Sequence, residues 1–165
     1  QPLGGVMVGD RVAEVLVAKG GEFFHVFTYS CHPVACAVAR ANLRVLREER
    51  IIEYLATSLI PAFSTRWQKL GNHPLVGEAR SVGLIGALEL VGNKNGRQRF
   101  PKERKAGERC RDFCIEQGLV MRAVGDTMIV APPFILSEAQ LDELVDKAWK
   151  ALDLTQQALG AAAGA

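Results

Sequence analysis

Ile51, Leu55, Leu59, Phe63, Trp67 and Leu70 recur at the three-to-four-residue interval that stacks side chains on one face of an α-helix. Pro61 falls inside this stripe and lacks a backbone donor, which predicts a break or kink near Leu59. A second helix is predicted over residues 33–48, where Val34, Val38, Ala41 and Val45 keep the same period and Ala35, Ala37 and Ala39 permit close approach. Pro33 suits the first turn of that helix. Together the two helices read as a long helical stretch that bridges two domains.

On either side the pattern changes. Residues 6–8 are a short apolar run that predicts a strand, and Asp10 is placed to cap a helix over residues 11–18 that ends at Gly20-Gly21. Residues 21–32 form a polar and aromatic loop of the kind that packs against a neighbour. A turn at residues 71–74 precedes a glycine-containing strand over residues 82–91, a polar loop over 92–102, and a helix over 105–116 that stops at Gly118. Residues 119–124 and 127–131 predict two strands joined by the two-residue hairpin signal Gly125-Asp126, and Pro132-Pro133 ends the second.

Ser137 and Gln140 form a capping box, with Leu136 and Leu141 at the positions of a hydrophobic staple. Leu141, Leu144, Val145, Ala148 and Leu152 supply the core stripe of the helix that follows. The Gly/Ala tail, residues 160–165, is expected to fray. The whole pattern predicts an α/β chain in two parts: residues 1–50, and residues 51–165 built as a small antiparallel sheet with helices on it. There are no internal repeats.

Composition narrows the classes. With 165 residues, 48% of them apolar, the chain can bury one domain or a small domain with a remnant of a larger one. Twenty basic and eighteen acidic side chains give a net charge of +2 with the signs interspersed, which sets nucleic acid aside as a partner. No apolar run reaches the roughly 20 residues of a membrane span, so a soluble, cytoplasmic protein is expected. Cys31, Cys36, Cys110 and Cys114 are not spaced like a zinc site, although His25 and His32 lie near the first pair. They are expected to be small, partly buried thiols without metal. The amino end opens directly on turn chemistry without an initiator methionine, which suggests a truncated chain.

No nucleophile and base at recognisable spacing, no phosphate-cradling glycine motif and no paired metal carboxylates stand out. Three segments carry the argument further. Residues 21–35 read Gly-Glu-Phe-Phe-His-Val-Phe-Thr-Tyr-Ser-Cys-His-Pro-Val-Ala; residues 1–5 read Gln-Pro-Leu-Gly-Gly; and residues 119–126, Leu-Val-Met-Arg-Ala-Val-Gly-Asp, are followed by Pro132-Pro133. In this order they resemble, over residues 1–155, the class III pyridoxal-phosphate (PLP) dependent aminotransferases of the ω-amino-acid or amine:pyruvate kind.

That resemblance implies the C-terminal part of a fold type I transferase: residues 1–50 as a remnant of the PLP-binding large domain with its interdomain helix, residues 51–165 as the small domain. It implies transfer of an amino group from an amine, polyamine or ω-amino acid to pyruvate, with pyridoxal 5'-phosphate as cofactor, in a homodimer. Phe27 and Thr28 match the pair that a partner subunit offers to the cofactor's phosphate. Arg122 matches the mobile arginine that pairs with a substrate carboxylate and swings aside for amines. No catalytic residue is assigned within the chain, because the family's Schiff-base lysine falls just before Gln1. Lys19 follows a helix instead of a strand end and is not given that role.

Val26 and Cys31 stand where the family usually has glycine, and a side chain at a position of positive φ costs on the order of 1 kcal/mol. His25 and His32 read as structural groups, and Arg97, Arg99, Lys102, Arg104 and Lys105 as a solvated charge run. Without the resemblance, Thr28 is an ordinary loop residue and Arg122 an edge-strand arginine in solvent. The competing reading of the whole chain is a non-catalytic binding or dimerisation module related to such a small domain.

Overall fold

In the computed structural model, residues 3–20, 27, 28 and 30–161 are described, and the chain divides into two units, Gln1–Arg50 and Ile51–Ala165. In the first unit the apolar run at residues 6–8 is not a strand. No strand among the described residues lies beside it to complete a ladder, and Val6 and Met7 are 88% and 99% exposed. Helix α1, Asp10–Lys19, is capped by Gly9, whose carbonyl accepts from the amides of Val12 and Ala13. Asp10 is thus the first helical residue instead of the cap, where its charge faces the positive end of the helix dipole.

Helix α2, Pro33–Glu48, starts at Pro33 as its sequence predicts, and His32 supplies the N-cap, its Nδ1 accepting from the Ala35 amide at 3.4 Å. Of this helix only Ala35 is buried. Val34, Val38 and Val45, expected on a buried face, are exposed. Periodicity identifies an apolar face but does not supply a surface to cover it.

The second unit is built on the stripe from Ile51 to Leu70. Helix α3, Ile51–Tyr54, passes through a π-helical turn, Leu55–Leu59, into helix α4, Ile60–Lys69. The Ile60 amide reaches back five residues to the Leu55 carbonyl. This π-bulge is the form that the expected disturbance takes, because widening the turn ahead of Pro61 accommodates a ring that a regular α-helix would press against the preceding turn. The stripe survives it: all six apolar residues are at most 8% exposed.

Four antiparallel strands, β1 (Val76–Val82), β2 (Ile85–Leu90), β3 (Arg122–Val124) and β4 (Thr127–Val130), form one sheet in the order β1-β2-β4-β3. The single strand expected over residues 82–91 is corrected to a hairpin, with Val82 paired to Ile85 across Gly83 and Leu84. Gly83 adopts φ +57° and reverses a run whose composition reads as continuous. The last hairpin turns at Gly125-Asp126 as predicted, though only Arg122–Val124 of its first arm joins the ladder.

Leu88, Leu90, Met128 and Val130 point into the core. Arg80, Ala87, Ile129 and Arg122 fall in one row across the opposite face. Helix α5, Ala106–Glu116, packs on α6, Glu138–Ala161, while α4 packs on β1 and α6. The capping box at the head of α6 is complete: Ser137 N–H donates to Gln140 Oε1 at 2.9 Å and Gln140 N–H to Ser137 Oγ at 3.2 Å. The fraying expected of residues 160–165 does not begin at 160, since Gly160 and Ala161 still belong to α6; residues 162–165 lie outside the described residues.

The cysteines divide more sharply than expected. Cys31 and Cys36 are exposed, and Cys110 and Cys114 are buried on one face of α5. Cys114 Sγ lies 3.8 Å from Met121 Sδ, and its hydrogen bond with Cys110 together with burial pushes its thiol far above the ordinary range. Among the described residues no group of three or more His, Cys, Asp and Glu side chains is placed to hold a metal ion. No helix among the described residues is long and apolar enough to cross a membrane.

Candidate functional site

Phe27 and Thr28 open a tight turn. Ser30 N–H donates to the Phe27 carbonyl at 2.9 Å, and Phe27 N–H donates to Ser30 Oγ at 3.1 Å. Closure of this turn leaves Thr28 exposed between them, its hydroxyl with no hydrogen-bond partner among the described residues. Cys31 follows with φ +60°, in the left-handed region, and His32 then caps α2. Cys31, where the resemblance implies a glycine, is thus held in the left-handed conformation that favours one. The segment fits a phosphate chemically, since a hydroxyl and a helix-capping loop offer donors without a competing cation. Val26 and His25 lie outside the described residues.

Arg122 belongs to the second unit. It sits on the edge strand β3, paired opposite Ile129 of β4, and is exposed. Val120 and Val124 flank it on the same face and are 82% and 50% exposed, whereas Met121 turns into the core. The alternation read from the sequence is thus realised, with a guanidinium set among apolar neighbours on an open face. The Arg122 guanidinium makes no ion pair or hydrogen bond with any described residue. A planar fork of five donors in that setting is suited to bidentate capture of a carboxylate.

The face of the sheet that carries Arg122 is pinned by Glu89. Its Oε1 accepts from Arg80 at 2.7 Å and its Oε2 from the Thr127 hydroxyl at 2.9 Å, tying β1, β2 and β4 together. Partial burial raises the carboxyl's pKa, but the bonds from Arg80 and Thr127 outweigh it and hold Glu89 below the usual carboxylate range. With both oxygens engaged, this carboxylate serves the sheet.

Two further features were not legible from residue types. His73, read only as part of a turn, is 1% exposed; its Nδ1 accepts from the Leu75 amide and its Nε2 lies 3.1 Å from Asp153 Oδ1. Because Nδ1 accepts, the ring proton belongs on Nε2 and is donated to Asp153, which clamps the turn to α6 against the edge of Trp149. The only advance signal was a histidine beside a proline at a turn. The charge run is also more structured than a solvated loop: Arg97 pairs with Glu78 at 3.4 Å, Lys105 with Glu108 at 3.4 Å, and Arg104 donates to the Leu159 carbonyl at 2.5 Å. Lys19 closes the last turn of α1 and is exposed.

This geometry can be set beside known proteins. The chain superposes on an aminotransferase from Vibrio fluvialis in its PMP-bound form with a TM-score of 0.78 and 37% identity, covering 89% of this chain and 32% of that one. A thermostable (S)-enantioselective omega-transaminase from Thermomicrobium roseum gives 0.82 and 37%, covering 90% and 33%. The fold is therefore part of the α/β fold type I transaminase architecture. Residues 1–152 match the family Aminotransferase class-III, and over 158 residues the chain is 54% identical to the putrescine--pyruvate aminotransferase of Pseudomonas aeruginosa, covering 96% of this chain. The chain belongs to the class III aminotransferases. It spans about a third of the length of the curated relatives it matches, 34% of the Pseudomonas enzyme.

Proposed function

We propose that the full-length protein is a cytoplasmic, homodimeric transaminase that moves an amino group from an amine, polyamine or ω-amino acid to pyruvate. In this reading residues 1–50 close the cofactor-binding large domain and residues 51–165 are the small domain. The observation that carries it is Arg122, a guanidinium with no partner among the described residues, on an open, apolar-flanked edge strand within a chain 54% identical to an enzyme named for putrescine and pyruvate. An apolar surround suits an amine's carbon chain, and the fork suits pyruvate's carboxylate, so one mobile residue serves both substrates in turn.

Pyridoxal phosphate, when bound, supplies the electron sink for the reaction. This chain's own contribution is to bind and orient. In this reading the Phe27-Thr28 pair meets the cofactor's phosphate across the subunit boundary through the exposed Thr28 hydroxyl, the Phe27 backbone closing the turn that presents it, and Arg122 sets the carboxylate. The family's lysine is expected before Gln1, so this chain by itself is expected to turn nothing over.

Incubating purified full-length protein with pyridoxal phosphate, putrescine and pyruvate is expected to yield alanine, whereas the 165-residue chain yields none. Folded full-length protein that neither binds the coenzyme nor forms alanine would remove the reading. A second expectation concerns Cys31. Glycine at φ +60° relieves strain of about 1 kcal/mol, so Cys31→Gly in the full-length protein should tighten coenzyme binding by up to about fivefold in a fluorescence titration. Unchanged affinity would show that the turn does not bear on the phosphate.

A further inference from the structure

The hairpin of Arg122 is fastened to the rest of the small domain at its tip. Lys105 leads into α5 with φ +48° and ψ +45° and offers no side-chain cap. Instead the first-turn amide of Gly107 donates to Asp126 Oδ1 at 3.1 Å, across nineteen positions of sequence. Contact here is too close for any side chain: a Cβ on the buried Gly107 would lie 2.0 Å from the Gly125 carbonyl oxygen and 3.1 Å from the Asp126 Cα.

The same tip is held from β2. Leu90 N–H donates to the Asp126 carbonyl at 2.9 Å, and Thr127 Oγ1 donates to Glu89 Oε2 at 2.9 Å. By contrast β3 is only three residues long, pairs with β4 alone, and forms the sheet's edge. The placement of Arg122 therefore depends on where its hairpin tip is anchored.

We propose that Asp126 is a positioning residue for Arg122: by capping α5 through the Gly107 amide it sets the hairpin, and with it the guanidinium that receives the substrate's carboxylate. This rests on the carboxylate-binding reading of Arg122 given above. An N-cap that served stability alone would weaken the protein without telling one substrate from another. A latch on the carboxylate site discriminates between pyruvate and an amine that has no carboxylate.

The test uses the full-length protein with Asp126→Ala, Asp126→Asn and Gly107→Ala, and with Arg122→Ala as reference. Asp126→Ala should raise KM for pyruvate about tenfold while KM for putrescine and kcat stay within about twofold. Asp126→Asn keeps an oxygen acceptor and should restore most of the loss. Amide hydrogen exchange in the segment containing Gly107 should quicken in the alanine variant and recover in the asparagine variant. Gly107→Ala drives the same segments apart from the other side; it should reproduce the pyruvate-selective pattern and replaces Asp126→Ala where that variant does not fold. If Arg122→Ala is selective for pyruvate but neither Asp126→Ala nor Gly107→Ala is, the latch is refuted while the Arg122 reading stands. If Arg122→Ala itself affects both substrates alike, the reading of Arg122 fails and the latch falls with it.

Discussion

Arg122→Ala in the full-length enzyme is expected to lower kcat/KM for pyruvate by about 10²- to 10⁴-fold, because a bidentate, charge-assisted pair is worth roughly 1.5–3 kcal/mol per hydrogen bond. For a carboxylate-free amine such as putrescine the loss should stay within about threefold, since the side chain then only has to leave the pocket. Arg122→Lys separates charge from geometry. A lysine keeps the positive charge but loses the planar fork, so it should recover part of the pyruvate activity and not all of it. Steady-state kinetics with both substrates decides the matter, and equal losses for pyruvate and amine would end the case for a switching arginine. The open setting of Arg122, with no partner among the described residues and exposed Val120 and Val124 beside it, is what makes so selective an effect expected.

The features that the sequence made legible are those written into contiguous residues. The stripe from Ile51 to Leu70 states its period outright, and all six side chains are buried. Ser137 and Gln140 are three positions apart and make both bonds of a capping box. Gly125-Asp126 makes a two-residue turn between paired Val124 and Thr127. In each case the cause and its effect lie within one turn of chain.

What was not legible depends on partners distant in sequence. The apolar run at residues 6–8 has strand composition, but a strand exists only against another strand. The face of α2 has helical periodicity, but burial needs a second surface. The run over residues 82–91 hid a reversal because Gly83 looks like any small residue until its φ is known. Phe27, Thr28 and Arg122 became candidates through resemblance, and their pattern alone left each an ordinary surface residue. The latch between Gly107 and Asp126 could not be anticipated at all, because neither residue type signals a contact nineteen positions away.

The other large effect expected is on stability, and it falls where the helix stripe meets the sheet. Trp67 is fully buried, stacked on Phe63 with ring centroids 5.4 Å apart and planes 20° from parallel. Its Nε1–H donates to the Ala87 carbonyl at 3.3 Å, so a helix side chain is bonded directly to β2. The ring also occupies the space over Gly86, where a Cβ would come within 2.6 Å of Trp67 Cε2 and 2.9 Å of Phe63 Cζ. Gly86 is therefore the floor on which both rings lie.

Trp67→Ala removes the ring and its bond and leaves a cavity that this floor cannot fill, at an expected cost of about 3–5 kcal/mol. Urea denaturation of the 165-residue chain should show a lower midpoint with an unchanged slope. Trp67→Phe keeps an aromatic on Gly86 but gives up the bond to Ala87, and should lose about 1–2 kcal/mol. Gly86→Val attacks the same contact from the strand. It forces a branched side chain into the volume of two rings and should destabilise by about 1–3 kcal/mol or more. A loss below about 1 kcal/mol for Trp67→Ala would show that α4 and the sheet are held together elsewhere, since no buried tryptophan central to a core is removed so cheaply.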